Sequence, residues 1–236
     1  MDIDVEKNCS SEVKNLSEYL KAIEKYVGEG YFYRGQDREY DEGLKPKIGR
    51  NLSKDASSIS EEKIFYRFAK ESVAYQKNRT SMILEILSLG QHYGLATRLL
   101  DWTESPLVAL FFAVENLDLK FDSVVYIITS HPVKLRSINI DEIGNPFKIT
   151  EDYIYHPFYI APQMMAQSSI FTIHHEPTLD FSGNIQMKVI IKKEAIKEIK
   201  RELWQNGITR KILFPDLYGL ADTVNSQVLE LGKGVD

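Results

Sequence analysis

Gly90-Gln91-His92-Tyr93-Gly94-Leu95-Ala96-Thr97-Arg98-Leu99-Leu100-Asp101-Trp102-Thr103-Glu104-Ser105 is the stretch on which the reading of this chain turns. Histidine, arginine, aspartate, tryptophan and threonine crowd together here, and Gly90 and Gly94 allow backbone turns that bulkier residues resist. Helical periodicity frames the stretch, predicting one helix over 80–92 and another over 105–117. The second has a strong start signal: Ser105 can cap, and Pro106 at the first helical position gives up no needed hydrogen bond. Leu107, Ala109, Leu110, Phe112, Ala113 and Val114 make that helix apolar on most sides, so it should be buried. Its free N–H groups favour an anion nearby. Two readings follow. In one, His92, Thr97, Arg98, Asp101 and Trp102 line a cleft. In the other, Leu99, Leu100 and Trp102 are core, Arg98 pairs with Asp101, and Asp101 closes a turn.

Outward from this stretch, Val13, Leu16, Leu20, Ile23 and Val27 recur at helical spacing and predict a helix over 12–27, ended by Gly28 and Gly30. Tyr31-Phe32-Tyr33-Arg34 is short, aromatic and strand-like. Residues 51–60 are polar and loop-like, and Ser58 with Glu61 suggests a capping box for a helix reaching about Gln76. Strands are predicted over Ser123–Ser130, Ile170–His174 and Ile185–Ile191, and a helix over 193–204. A last helix from about Asp216 would place Leu217, Leu220, Val224, Val228 and Leu231 on one face. Together these predict an α+β fold: a compact single domain with a small mixed sheet flanked by helices.

The 236 residues are 43% hydrophobic and 11% aromatic, enough for one sizeable core and unlike a disordered chain. A net charge of −5 argues against a broad basic nucleic-acid surface. Cys9 is the only cysteine, which excludes an internal disulfide and a cysteine-cluster zinc site. The start, Met1-Asp2-Ile3-Asp4-Val5-Glu6, lacks a signal-peptide pattern, and the longest apolar run, Pro106 to Val114, is too short to span a bilayer. The expected location is the cytoplasm, without a membrane partner.

The central run, continued by Ala109-Leu110-Phe111-Phe112-Ala113, resembles the signature of the FRG domain family, named for a Phe-Arg-Gly motif. Tyr33-Arg34-Gly35-Gln36 stands where the naming motif belongs, followed by Leu44-Lys45-Pro46 and Arg50. Ala166-Gln167-Ser168-Ser169-Ile170-Phe171-Thr172 and Leu213-Phe214-Pro215-Asp216-Leu217-Tyr218-Gly219-Leu220 resemble the later blocks. Tyr33 replaces the naming Phe. Gln163 and Ser169 stand where an Arg and a Gly are expected. The resemblance implies an N-terminal helix over 1–29 packed on an FRG domain over 30–225, then a helix end and tail over 226–236.

The order of blocks is similar to that of ADP-ribosyltransferases, in which a strand ends in aromatic-Arg-Gly, a Ser/Thr-containing segment leads into a helix, and a glutamate on a later strand completes the site. This analogy implies an ADP-ribosyltransferase-like arrangement with NAD as substrate and no metal. Arg34, His92, Asp101 and Glu104 are then the candidate catalytic residues. Tyr33, Arg34, Gly35, Gln36, Thr97, Arg98, Trp102 and Gln167 would surround the nucleotide. The chemistry is coherent. Arg34 can hold a pyrophosphate through paired charge-assisted bonds. Gly35 would let a ligand approach the backbone, and Tyr31, Tyr33 or Tyr93 could stack on a base. A carboxylate would stabilise the positive charge that develops on the ribose. No Glu-x-Glu or Gln-x-Glu pair supplies it; Asp101, Glu104 and Glu176 are the available carboxylates. A toxin or phage-defence effector acting on an unidentified protein or nucleic acid would fit the resemblance.

Two other classes stay open. A non-enzymatic module could use Arg34, His92 and Arg98 to hold a nucleotide or phosphorylated ligand, and it needs no glutamate. A metal-dependent hydrolase or nuclease could recruit His92, Asp101 and Glu104 with His131, His156, His174 or His175. That spacing matches no common ligand pattern, and adjacent His174 and His175 on a predicted strand should face opposite ways.

Overall fold

The computed structural model describes residues 9–41, 43–51, 58–76, 80–116, 120–130, 136–138, 143–181 and 185–230. The strands are β1 Cys9–Val13, β2 Tyr31–Gln36, β3 Leu99–Thr103, β4 Ser123–Thr129, β5 Arg136–Ile138, β6 Tyr153–Tyr155, β7 Ser169–Ile173 and β8 Ile185–Ile191. They form one eight-stranded sheet in the order β1-β8-β4-β2-β3-β7-β6-β5. The pairs β1/β8 and β5/β6 are parallel and the other neighbours antiparallel. The helices are α1 Leu16–Ala22, α2 Lys47–Asn51, α3 Ser58–Ser72, α4 Ile83–His92, α5 Pro106–Val114, α6 Pro162–Ala166, α7 Ile196–Gln205, α8 Arg210–Leu213 and α9 Leu217–Asn225. The fold is α+β, one mixed sheet flanked by helices, with more strands than the small sheet expected.

Register assigns the faces. Tyr33 pairs with Thr103, and Leu99 with Ile173, so these side chains share one side of the sheet. On that side Tyr19 of α1, Ala109 of α5 and Ile196 of α7 pack over Tyr33, Val125, Ile127 and Val189. Farther along the same side, Phe65 of α3 and Leu84 and Leu87 of α4 pack over Leu99, Phe171 and Ile173. The opposite side carries Phe32, Leu100, Trp102, Tyr126, Ile128 and Ile170 under Leu44 and Phe181. The two helical layers leave a gap above the β2–β3 junction.

Several expectations are corrected. The predicted helix over 12–27 is a strand followed by a shorter helix. Val13 ends β1, paired with Ile191, and Asn15 Oδ1 accepts from Glu18 N at 2.8 Å to start α1. Tertiary pairing overrides helical spacing there, and Leu20 and Val27 are exposed. The 90–105 stretch contains β3, which the reading as a connection between helices missed. The face of the last helix also differs: Leu217 is 81% exposed, and Leu220, Val224 and Val228 are exposed as well, while Leu231 lies outside the described residues.

Glu61 does not form the expected capping box, and Arg98 does not pair with Asp101. Glu61 and Arg98, with side chains 1% and 2% exposed, pair with each other. Arg98 N donates to Glu61 Oε1 at 2.9 Å, while its Nε and Nη2 donate to Oε2 at 3.0 and 2.7 Å. Arg98 Nη1 donates to the carbonyls of Pro146 and His174 at 3.0 and 3.2 Å. Removing one partner strands a buried charge, which costs roughly 3–5 kcal/mol. Glu61→Ala should therefore lose about that much in urea unfolding. The double variant Glu61→Leu/Arg98→Met should lose clearly less; equal losses would mean that the pair's charges are not what matters.

Gly35 has a packing role. A Cβ there would lie 1.8 Å from the Ala109 carbonyl oxygen of α5. Gly35→Ala forces helix and sheet apart and should cost about 1–3 kcal/mol in the same measurement.

Candidate functional site

β2 and β3 pair only at Tyr33 and Thr103. Continuing that register would set Asp101 opposite Gly35, but the ladder does not extend there. The sheet opens instead into a half-open cleft of about 500 Å³, walled by α4 and α5 and by Met164, Gln167 and Phe214.

Arg34 projects from the side of β2 opposite Tyr33 and Gly35, and it reaches Asp101 where the two strands part. Its Nη1 donates to the Asp101 carbonyl at 2.7 Å and lies 3.5 Å from Oδ2. Its Nε is buried and has no hydrogen-bond partner among the described residues. Burial lowers the Arg34 pKa from its ordinary value; Asp101 opposes that shift, and the like charge of Arg50 adds to it. The group remains cationic at any working pH. Arg50, at the end of α2, lines the same cleft.

Asp101 is held from behind. Gln91 Nε2 donates to its Oδ2 at 2.9 Å, Thr97 Oγ1 donates to Gln91 Oε1 at 2.6 Å, and Leu99 N donates to Thr97 Oγ1 at 3.1 Å. The Asp101 side chain remains 53% exposed, open to a ligand. His92 shares the cleft. Burial lowers its pKa, opposed mainly by the Asp101 carboxylate, so near neutral pH it is a neutral hydrogen-bonding ring.

The expected site residues divide. Tyr33, Arg34, Gly35, Gln36, His92, Asp101, Trp102 and Gln167 line the cleft, whereas Thr97, Arg98 and Glu104 do not. Thr97 works through Gln91, and Arg98 is buried against Glu61. Glu104 is exposed, and its charge is felt by His156 and Tyr159. Glu176 is exposed and outside the cleft. The Tyr33 ring is core, and its hydroxyl donates to the Tyr26 carbonyl, so it is not free to stack on a ligand. Gly35 admits α5 rather than a ligand. Trp102 Nε1 donates to Thr172 Oγ1 at 3.0 Å inside the opposite core. Gln167 Nε2 donates to the Leu213 carbonyl at 3.0 Å, and its own carbonyl accepts from Thr103 Oγ1 at 2.6 Å. The third and fourth sequence blocks therefore meet at the cleft. Sequence reasoning missed Asp37, Glu115 and Asn116, which nothing in their local pattern marks; Phe112 and Phe214 entered only as members of motifs. Arg50 had been noticed only as part of a motif.

The histidines fall elsewhere. His131 lies outside the described residues. His156 packs edge-on against Phe32 at 5.8 Å. His174 and His175 do not face opposite ways on a strand, because β7 ends at Ile173 and both turn toward Asp152. Among the described residues no three His, Cys, Asp or Glu side chains are placed to hold a metal ion.

His174 connects to the cleft wall through Thr172, whose Oγ1 lies 2.9 Å from its Nε2. Burial pushes the His174 pKa down to about 4, only partly opposed by Asp152. A depressed pKa means that the neutral ring supports the fold fully above the unfolded value near 6.5, and that this support fades as pH falls toward 4. Between pH 7 and pH 5 the wild type should lose about 2 kcal/mol that His174→Gln does not lose, read from urea unfolding at both pH values. Parallel pH profiles would show that the ring is not held neutral.

The architecture is that of an α+β domain whose mixed sheet parts to form a polar cleft with an arginine at its seam. Residues 29–121 match the model of the FRG domain. The segment contains β2, α2 to α5 and β3, hence Arg34, Arg50, Gln91, His92 and Asp101; the blocks containing Gln167 and Phe214 lie beyond it. No curated protein and no solved structure matches the chain. Among the described residues no helix is long and apolar enough to cross a membrane.

Proposed function

We propose that the cleft binds a pyrophosphate-bearing nucleotide, NAD, and that the protein is an ADP-ribosyltransferase-like enzyme. One observation carries this reading: Arg34 and Arg50 bring like charges to one cleft, close enough for Arg50 to lower the Arg34 pKa. Asp101 already offsets that repulsion at Arg34, and a pyrophosphate bridging both guanidiniums would add charge-assisted bonds to each. Asp101 is the carboxylate best placed to stabilise positive charge on the nicotinamide ribose, and Gln91 is its positioning residue. His92, neutral beside Asp101, is a hydrogen-bonding partner for the ribose or the acceptor. A protein or nucleic-acid target, in stress or phage defence, would suit such a transferase.

A non-enzymatic nucleotide-binding module is the second reading. Asp101 Oδ2 already accepts from Gln91 and lies near Arg34, and Gln167 carries no charge.

Calorimetric titration with NAD, with nicotinamide release followed in parallel, separates the two. Wild type should bind, and Arg34→Ala should weaken binding about 10- to 100-fold, the worth of hydrogen bonds to a charged group. Arg34→Lys should not restore it. Asp101→Asn should abolish release while sparing most binding, and His92→Ala should leave thermal unfolding unchanged. Binding without release assigns the module. Absence of NAD binding rejects both the cofactor and the transferase. Loss of several kcal/mol of stability in Arg34→Ala would make the residue structural instead.

A further inference from the structure

A second cleft, of about 520 Å³, opens on the other side of the α5 C-terminus, between α7, α8 and α9. It shares Glu115 and Asn116 with the arginine cleft, so the two adjoin. Of its charged groups, Arg210 sits between the carboxylates of Glu115 and Asp222. Arg210 Nε lies 2.8 Å from Asp222 Oδ2, Arg210 Nη1 contacts Glu115, and the Arg210 guanidinium lies over the Phe214 ring at 4.3 Å. Lys200 Nζ donates to the Glu115 carbonyl at 3.1 Å. Such a wall has little charge to offer an anion or a cation.

Two features of the lining are not spent on the fold. Thr209 is only 6% exposed, yet its Oγ1 is buried without a hydrogen-bond partner among the described residues. A buried hydroxyl without a partner costs about 1–3 kcal/mol, and a ligand that bonds it recovers that cost. Trp204, on α7, contributes a half-buried indole ring to the same cleft. An aromatic face beside a hydroxyl that can donate or accept, in a neutral surround, suits a flat uncharged ring with hydrogen-bonding atoms on its edge. Nucleobases have that chemistry and stack on aromatic side chains at about 1–3 kcal/mol each.

We infer that the Trp204–Thr209 cleft is a nucleobase site. The base can be the adenine of a dinucleotide whose phosphates lie in the adjoining cleft, or it can come from a separate nucleotide or nucleic acid. The inference does not depend on NAD turnover, because a nucleoside has no phosphate for Arg34 to hold.

Fluorescence of the whole chain tests it, since Trp204 is one of only two tryptophans and Trp102 is buried. Adenosine and guanosine are titrated first. At least one should quench, and the quenching should vanish in Trp204→Phe. Thr209→Val removes a hydroxyl that bonds nothing, so its thermal unfolding should match or exceed wild type while nucleoside binding weakens about five- to tenfold. NAD then separates the sources. Quenching by NAD that weakens in Arg34→Ala while nucleoside quenching does not places the base of the dinucleotide here. Nucleoside quenching with none by NAD places a separate nucleotide here. No Trp204-dependent quenching by either nucleoside, or nucleoside binding unchanged in Thr209→Val, overturns the assignment.

Discussion

Arg98 donates to both carboxylate oxygens of Glu61 in the interior, and the parts of the cleft converge on the short segment that this pair fixes. Glu61 belongs to α3, and Arg98 immediately precedes β3, so the pair ties a helical layer to the sheet. One residue earlier, the Thr97 carbonyl accepts from Ile48 N at 3.2 Å, which anchors α2 and with it Arg50. The Thr97 hydroxyl holds Gln91, and Gln91 holds Asp101. Arg98 also binds the carbonyls of Pro146 and His174. A buried ion pair is a poor source of net stability. Here it sets the register between α3, α2 and β3, so the cation of Arg50 and the anion of Asp101 come to one cleft from distant parts of the chain.

The cleft itself follows from an interrupted ladder. A continuous β2–β3 pairing would satisfy more backbone and leave no room for a ligand. The close approach of α5 to β2, possible only because Gly35 has no side chain, packs the helix onto the strand end where pairing stops. The edge of α5 then forms a wall that the strands do not provide. Arg34 serves both needs at this seam. Its Nη1 satisfies the Asp101 carbonyl that a ladder bond would otherwise reach, and its charge faces a polar cavity. It is partly a substitute for sheet and partly a feature of the site.

How far the sequence revealed this depended on the range of the interaction. β4 was legible as a near-continuous apolar run, β8 as an alternation of Ile185, Met187, Val189 and Ile191 with Gln186 and Lys188, and α5 from Ser105-Pro106 and its apolar faces. β3 was not, because Leu99-Leu100-Asp101-Trp102-Thr103 has an exposed Asp101 amid buried neighbours and lies between two helical patterns. Val13 sat in phase with a helix, yet it pairs with a strand far along the chain, a contact that local spacing cannot encode. Arg34, His92 and Asp101 were legible as cleft residues because their chemistry is unusual for their local context. Asp37, Glu115 and Phe214 were not, because only the tertiary fold brings them to the cavity.

The most conspicuous residues of the central run are therefore not the ones that face a ligand. Thr97 and Arg98 are spent inside, on Gln91 and Glu61, and Trp102, although it borders the cleft, spends its Nε1 on Thr172. What faces the cavity is plainer: Gln91, His92 and Asp101 from the same run, with Arg34 and Arg50 from upstream. An arginine buried on a carboxylate is scaffold, whereas arginines that line an open cavity, one of them beside a half-exposed carboxylate, keep charge available to a ligand. Arg98 is of the first kind, and Arg34 with Arg50 is of the second. That difference in electrostatic matching puts the proposed ligand-facing surface on β2 and α2, although the sequence is chemically densest just before and along β3.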